Sequence, residues 1–395
     1  MTMHPEMPRN DGAPADPPGT APRHDPDPGP EPAGVGRYDR RTVLGAGILA
    51  AVGVTGMTAA TAPRRARLGA PTGDEEITAA LAEHLSGHQR VAIALLDEGS
   101  EPRLAGFGAT STDEFEIGSL TKVFTGALLA EAISRADLTL ETTVAEVLGA
   151  QADGSAIADA DLAELATHSA GLPTAPLSAS AGMLASTFLL HDPYRDWDAE
   201  RLVADALAAS PTTRGQHVYS NMSVALEGQL VSRIADVPYP ELVAAELLDP
   251  LGMRSTSVPV LAEDLPSTAR RGNTVTGLPA APWTMNGYAP AGCIRSTLED
   301  LVPFLAATRD GDAPGAESAR KVLVEIDEHT GIGINWFHSQ LAEDSTAIWH
   351  NGMTGGYASF AGWETRSGRG LVILSDTSRA VEGIALEVLA GGITL

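Results

Sequence analysis

The chain has 395 residues, enough to bury a large core and to hold two domains or one domain with a sizeable insertion. Its formal charge of −25 argues against nucleic acid or an anionic membrane surface as a partner. The single cysteine, Cys293, excludes an internal disulfide framework and a multi-cysteine metal site, and its apolar neighbours make it a packed core thiol.

Residues 1–36 are rich in Pro, Asp, Gly and Ala without hydrophobic period, and read as a disordered tail. Asp39-Arg40-Arg41-Thr42-Val43-Leu44 then leads into a Gly/Ala-rich apolar run to about Ala62. Paired arginines before a weakly hydrophobic run of small residues look like a twin-arginine export signal, spanning residues 37–70. Arg64, Arg65 and Arg67 after the run suit that route. Ala60-Thr61-Ala62 has the small-x-small form of a cleavage site, and Ala70 is another boundary. The alternative is an uncleaved membrane anchor through residues 43–62, to which the many Gly, Ala and Thr residues are poorly suited. On either reading the folded part lies outside the cytoplasm, secreted or in the cell envelope, with the twin-arginine machinery as export partner.

The folded part spans residues 74–395. Asp74–His84 has amphipathic helical spacing, and Val91–Leu96 and Leu104–Gly108 read as two strands joined by a polar turn. Phe115–Leu129 follows, with apolar residues at Val123, Phe124, Ala127 and Leu128 at helical spacing. Leu138–Leu148 reads as loop then short helix. Residues 149–284 read as mostly helical: Ala160–Ala166, Arg201–Ala209, Asn221–Ala235, and a helix ending over Leu248–Met253 at Pro250 and Gly252. His168-Ser169-Ala170-Gly171-Leu172-Pro173 is a turn whose histidine reads as structural. Residues 285–395 return to strands: Gly331–Trp336, Ala347–Trp349, Tyr357–Trp363 and Gly370–Ser375, with helices at Leu298–Ala307 and Arg379–Leu389. Strands at both ends with helices between imply an α/β (α+β) fold. Its sheet is built from N- and C-terminal segments, interrupted by an inserted helical region.

Three short motifs carry chemistry. Ser119-Leu120-Thr121-Lys122 places a hydroxyl and an amine three residues apart, just under one helical turn, so both point the same way. Lys122 is one of only two lysines, the other cations being arginines that cannot act as bases. A second Ser-x-x-Lys, Ser318–Lys321, follows a Gly/Ala/Asp-rich loop with no partner motifs after it and is a decoy. Tyr219-Ser220-Asn221 precedes a helix; its tyrosine suits proton sharing with Lys122, its asparagine suits a substrate amide, and Asn221 alternatively reads as a helix cap. Of two His-x-Gly strings, His329-Thr330-Gly331 looks like a turn. His350-Asn351-Gly352 ends an apolar run and continues into a strand, with Gly352 allowing a substrate close to the strand edge. There is no His-Glu-x-x-His, cysteine pair or P-loop, so neither metal nor cofactor is expected.

Ser-x-x-Lys, Tyr-x-Asn and His-x-Gly in this order resemble the serine β-lactamase and penicillin-binding-protein superfamily. The branch resembled is that of class C β-lactamases, D-alanyl-D-alanine carboxypeptidases and related esterases and transacylases. Phe115–Lys122, Thr167–Pro173, Leu248–Met253, Ala289–Ser296 and Trp349–Trp363 carry the same likeness, which covers Asp74 to Leu395. The resemblance implies a β-lactamase/transpeptidase-like fold and an acyl-enzyme formed on Ser119. It implies Lys122 as the base, Tyr219 as proton carrier, Asn221, His350 and Gly352 at the substrate, and an oxyanion hole from the backbone N–H groups of Ser119 and Met353. The expected substrate is a small molecule or peptide, such as a D-amino-acid peptide or a β-lactam. The alternatives are an esterase or transacylase of the same fold, or a non-catalytic penicillin-binding sensor. His350 stands where lactamases usually carry lysine. It would bind a carboxylate only when protonated or as a single neutral donor.

Overall fold

A computed structural model describes residues 66–175 and 191–395. The 1–36 tail and the paired-arginine stretch with its apolar run lie outside the described residues. β1 (Pro71–Gly73) leads to α1 (Glu75–Leu81), whose first turn is capped by the Asp74 carboxylate accepting from the N–H groups of Glu76 and Ile77. β2 (Val91–Leu96) and β3 (Arg103–Phe107) pair as antiparallel neighbours. β4 (Phe115–Glu116) runs through one 3-10 turn (Gly118–Leu120) into α2 (Thr121–Ser134).

The helical insertion then follows. It contains α3 (Val144–Leu148), α4 (Leu162–Ala166), α5 (Ala199–Leu207), α6 (Asn221–Ala235) and α7 (Tyr239–Val243). α7 continues through a π turn at Ala244–Leu248 and ends beyond Asp249–Leu251 at Gly252, which is left-handed with φ +67°. The stop is therefore at Gly252, while Pro250 lies inside the last helical turn. From Arg254 to Met285 the chain is irregular apart from short turns, so the helical region closes earlier than its sequence suggests.

The last third contains β5 (Arg295–Ser296), α8 (Leu298–Asp310), α9 (Ala316–Ala319), β6 (Val324–Glu325) and β7 (Thr330–Ile332). β8 (Phe337–Ala342), β9 (Ser345–Met353), β10 (Ala358–Glu364), β11 (Gly370–Ser375) and α10 (Glu382–Leu389) complete it. Among the described residues one antiparallel sheet runs β1-β3-β2-β11-β10-β9-β8-β7-β6. The β2–β11 pair (Val91 opposite Ser375) joins the two ends of the chain, and the helical insertion falls between them in sequence. Both faces of the central strands are covered. α2, α6 and α8 contribute Phe124, Leu226 and Phe304 to the core on one side, and α1 and α10 contribute Ile77, Leu81 and Val388 on the other. That explains the unbroken apolar runs of β2 and β11, where a one-sided sheet would alternate.

Two departures from the sequence reading have clear causes. Gly331–Trp336 is not one strand: pairing stops at Ile332, the chain turns with Asn335 at φ +58°, and a further strand starts at Phe337. That strand, Phe-His-Ser-Gln-Leu-Ala, is too polar to announce itself and is specified by pairing with β7 and β9. α2 is buried nearly all round, with 11 of its 14 residues inside, because α6, α7, α9 and the Asn286–Ala291 turn pack against it and its apolar residues share one core with β2 and β11.

Candidate active site

Ser119 lies on the 3-10 turn between β4 and α2, and four elements fix that turn. Glu116 on β4 and Arg295 on β5 are opposite each other and ion-paired at 2.8 Å, with Glu114 on the same guanidinium. The Ile117 N–H donates to the Ile294 carbonyl at 3.0 Å, and the Ile117 carbonyl accepts from the Ser359 hydroxyl at 2.7 Å. Gly118 has φ +51°, and a Cβ there would stand 2.7 Å from the Met353 nitrogen. The backbone of β9 at Met353 therefore meets the serine turn directly. The Ser119 N–H belongs to the first turn, where helix amides lack intrahelical acceptors.

Lys122 is fully buried. Its Nζ lies 2.7 Å from the Ala291 carbonyl, 2.8 Å from Asn221 Oδ1 and 3.1 Å from Ser119 Oγ. The first two partners only accept. A neutral amine has two N–H groups for those two acceptors, which leaves its lone pair facing the Ser119 hydroxyl proton. Burial holds the Lys122 ammonium well below its ordinary range, opposed by the negative charge of Glu227. The decoy pair is unlike this: the Ser318 hydroxyl donates to the Gly315 carbonyl, and Lys321 is exposed.

Tyr219 lies with its ring 5.0 Å from Lys122 Nζ, and its hydroxyl interacts with the Ser119 side chain. Burial raises the phenol above its ordinary range. The ring also leans on His168 at 4.6 Å. The Ser220 N–H donates to His168 Nδ1 at 3.3 Å, and burial keeps that imidazole neutral, which fits the structural reading of this histidine.

Asn221 opens α6 but does not cap it. The cap is Ser220, whose hydroxyl accepts from the Ser223 N–H at 3.0 Å. That frees the Asn221 amide to accept from Lys122 and to donate to the Tyr194 hydroxyl at 2.9 Å.

The third motif differs most from expectation. His350 is fully buried, its Nδ1 donates to the Asn351 carbonyl at 2.5 Å, and its ring faces Phe337. Burial, aided by Lys122, pushes its imidazole down to about 3, so it is neutral and turned into the protein. Gly352 is buried too, and a Cβ there would collide with the Ile117 carbonyl. In this structure the glycine lets β9 pack against the serine segment. Met353, next in line, is exposed.

Sequence reasoning missed three members of the site. The Ala291 carbonyl is backbone and carries no side-chain signal. Tyr194 comes from outside all three motifs. Glu227 did leave a trace, an acid between Leu226 and Leu230 on the helix read over Asn221–Ala235. It is fully buried, with burial pushing its carboxyl up to about 8.

A family model described as Beta-lactamase matches residues 77–389. A β-lactamase of Pseudomonas fluorescens is 25% identical over 310 residues, covering 68% of this chain and 80% of that protein. Penicillin-binding protein 4 of Amycolatopsis lactamdurans is 28% identical over 313 residues, covering 71% of this chain and 76% of that one. The solved structure of a β-lactamase/D-alanine carboxypeptidase from Pseudomonas syringae superposes with a TM-score of 0.68 at 18% identity, covering 81% of this chain and 98% of that chain.

Proposed function

Since this chain belongs to the β-lactamase family and is a serine hydrolase, we propose that it works through an acyl-enzyme on Ser119 and cleaves an amide. One observation carries the reading: a buried lysine amine lies 3.1 Å from Ser119 Oγ, with its other directions taken by acceptors. Ser119 Oγ bonds to the substrate carbonyl carbon as its proton passes to Lys122 Nζ. The negative oxygen of the tetrahedral intermediate accepts from the Ser119 and Met353 N–H groups, each such donor typically worth about 10²–10³ in rate. The carbon–nitrogen bond then breaks, and the leaving amine takes up the proton through Tyr219. Water attacks the resulting ester, yields its proton along the same path, and releases the acid with Ser119 restored. Asn221 keeps the lysine aligned and has Tyr194 as its second partner.

A D-amino-acid peptide or a β-lactam is the proposed substrate class. It is supported by relatives named as β-lactamase and penicillin-binding protein and by a neighbour named for both activities. The second reading, an esterase or transacylase of the same fold, is favoured by His350. A neutral, inward-turned imidazole supplies no cation for a substrate carboxylate. The test is an intact-mass time course of the protein with a penicillin, following the drug in the same tube. Hydrolysed drug over unmodified protein supports a lactamase. A persistent adduct one drug mass heavier that forms on wild type and not on Ser119→Ala supports a peptidase-like enzyme or a sensor, and turnover of a D-alanyl amide separates those two. Intact drug over unmodified protein, with rapid turnover of an activated ester, would move the assignment to the esterase.

We also propose export by the twin-arginine route, on the strength of Arg40-Arg41 and the small-residue run after them. Arg40→Lys/Arg41→Lys should leave the protein in the cytoplasm on cell fractionation. Unchanged export of the double variant would reject the route.

A further inference from the structure

Asn221 meets Lys122 from a half-buried position, and a second contact fixes how it does so. The torsion that turns an asparagine amide is broad, so a single hydrogen bond leaves the amide plane free to swivel. Here both ends are held. Asn221 Oδ1 accepts from Lys122 Nζ at 2.8 Å, and Nδ2 donates to the Tyr194 hydroxyl at 2.9 Å. Turned end for end, the amide would aim its N–H groups at the lysine nitrogen. It would then either oppose an ammonium or occupy the lone pair that the Ser119 proton needs.

Tyr194 is itself firmly placed. It is fully buried, with its ring 4.7 Å from that of Tyr288 and edge-on to Trp283 at 5.9 Å. Its N–H donates to Asp192 Oδ1 at 2.9 Å, while Asp192 Oδ2 accepts from the N–H groups of Thr284 at 3.0 Å and Met285 at 2.8 Å. The Gly287 N–H donates to the Trp197 carbonyl at 2.7 Å, and Asn286 Nδ2 donates to the Arg195 carbonyl at 2.9 Å. Residues 192–197 are thus zipped to residues 284–287, where the 3-10 turn Asn286–Ala291 begins. That turn carries the Ala291 carbonyl, the other acceptor on Lys122, at 2.7 Å. One seam therefore places both acceptors, Ala291 along the chain and Asn221 through Tyr194.

We propose that Tyr194 is a positioning residue for acylation: its hydroxyl holds the Asn221 amide with Oδ1 on Lys122, and so keeps the lysine lone pair directed at Ser119. The inference rests on the reading of Lys122 as the base. Tyr194 is buried and reaches the reaction only through Asn221.

Tyr194→Phe removes one oxygen and keeps the ring against Tyr288, so the variant should melt close to wild type. The probe is 4-nitrophenyl acetate in excess over the full-length protein, with the first release of nitrophenolate followed by stopped flow as the measure of acylation. The limiting rate should fall about tenfold in Tyr194→Phe, on the order of what one hydrogen bond supplies. The ester concentration giving half that rate should stay as in wild type, because alignment of the base is lost and not binding. Asn221→Ala should be slow already, and adding Tyr194→Phe to it should cost nothing more. Losses that add in the double variant, or a Tyr194→Phe protein as fast as wild type, would overturn the proposal and leave Tyr194 a core aromatic. A Ser119→Ala protein indistinguishable from wild type in this assay would instead strike the nucleophile assignment on which the inference rests.

Discussion

Ser119→Ala should abolish turnover of every substrate the enzyme accepts, a loss on the order of 10⁶ in kcat by analogy with removal of the nucleophile from other serine hydrolases. The substitution removes one oxygen at a partly buried position. It leaves Gly118, the Ile117 clamps and the Glu116–Arg295 pair untouched, so the fold should be kept. Lys122 loses its 3.1 Å neighbour but retains Asn221 and Ala291. The check is a steady-state assay together with a thermal melt of both proteins. A folded Ser119→Ala protein with substantial activity would place the nucleophile elsewhere.

Replacing Lys122 should be nearly as damaging, and two substitutions separate the reasons. Lys122→Met keeps length and removes the amine, so it loses the base and should cost about 10²–10⁴ in acylation rate while the helix stays packed. Lys122→Arg keeps a cation but cannot release its proton, and its planar head must fit where the lysine nitrogen has three partners at 2.7–3.1 Å. It should therefore lose acylation to a similar extent and also melt lower, because a permanent charge is enclosed with no carboxylate bonded to it. The wild-type pH profile follows from the same cause. Burial lowers the Lys122 midpoint, so the neutral, active form already predominates at pH values where a free lysine would still be protonated. The rate should rise as pH increases through that lowered midpoint, and the limb should vanish in Lys122→Met. Single-turnover labelling rates across pH provide the measurement. A Lys122→Arg protein retaining most of the wild-type rate would remove the lysine from the role of base.

The parts of the fold that were legible in the sequence are those where local pattern and tertiary demand agree. α6 over Asn221–Ala235 and β11 over Gly370–Ser375 have the bounds their patterns suggest. The hydroxyl–amine pair of Ser119 and Lys122 was legible for the same reason, since one helical turn fixes their relation without help from elsewhere. β8 was not, because a polar strand between two partners derives its conformation from their hydrogen bonds. Nor was the role of Gly352, because nothing near it in the chain reveals that Ile117 lies against it in the fold.

By itself, the sequence determined the order of the three motifs, the sheet made from two chain ends around a helical insertion, and a lone lysine beside a serine on a core helix. Tertiary structure alone decided the ionisation of the site. Lys122 and Glu227 lie far apart along the chain, as do Asn221 and Tyr194, and His350 reaches the same core from β9. Whether a lysine is neutral, a histidine uncharged or an acid retained inside depends on how much water each loses and which charges remain nearby. Those quantities belong to the packed molecule, because residues distant in sequence set the dielectric and the field at every titrating atom.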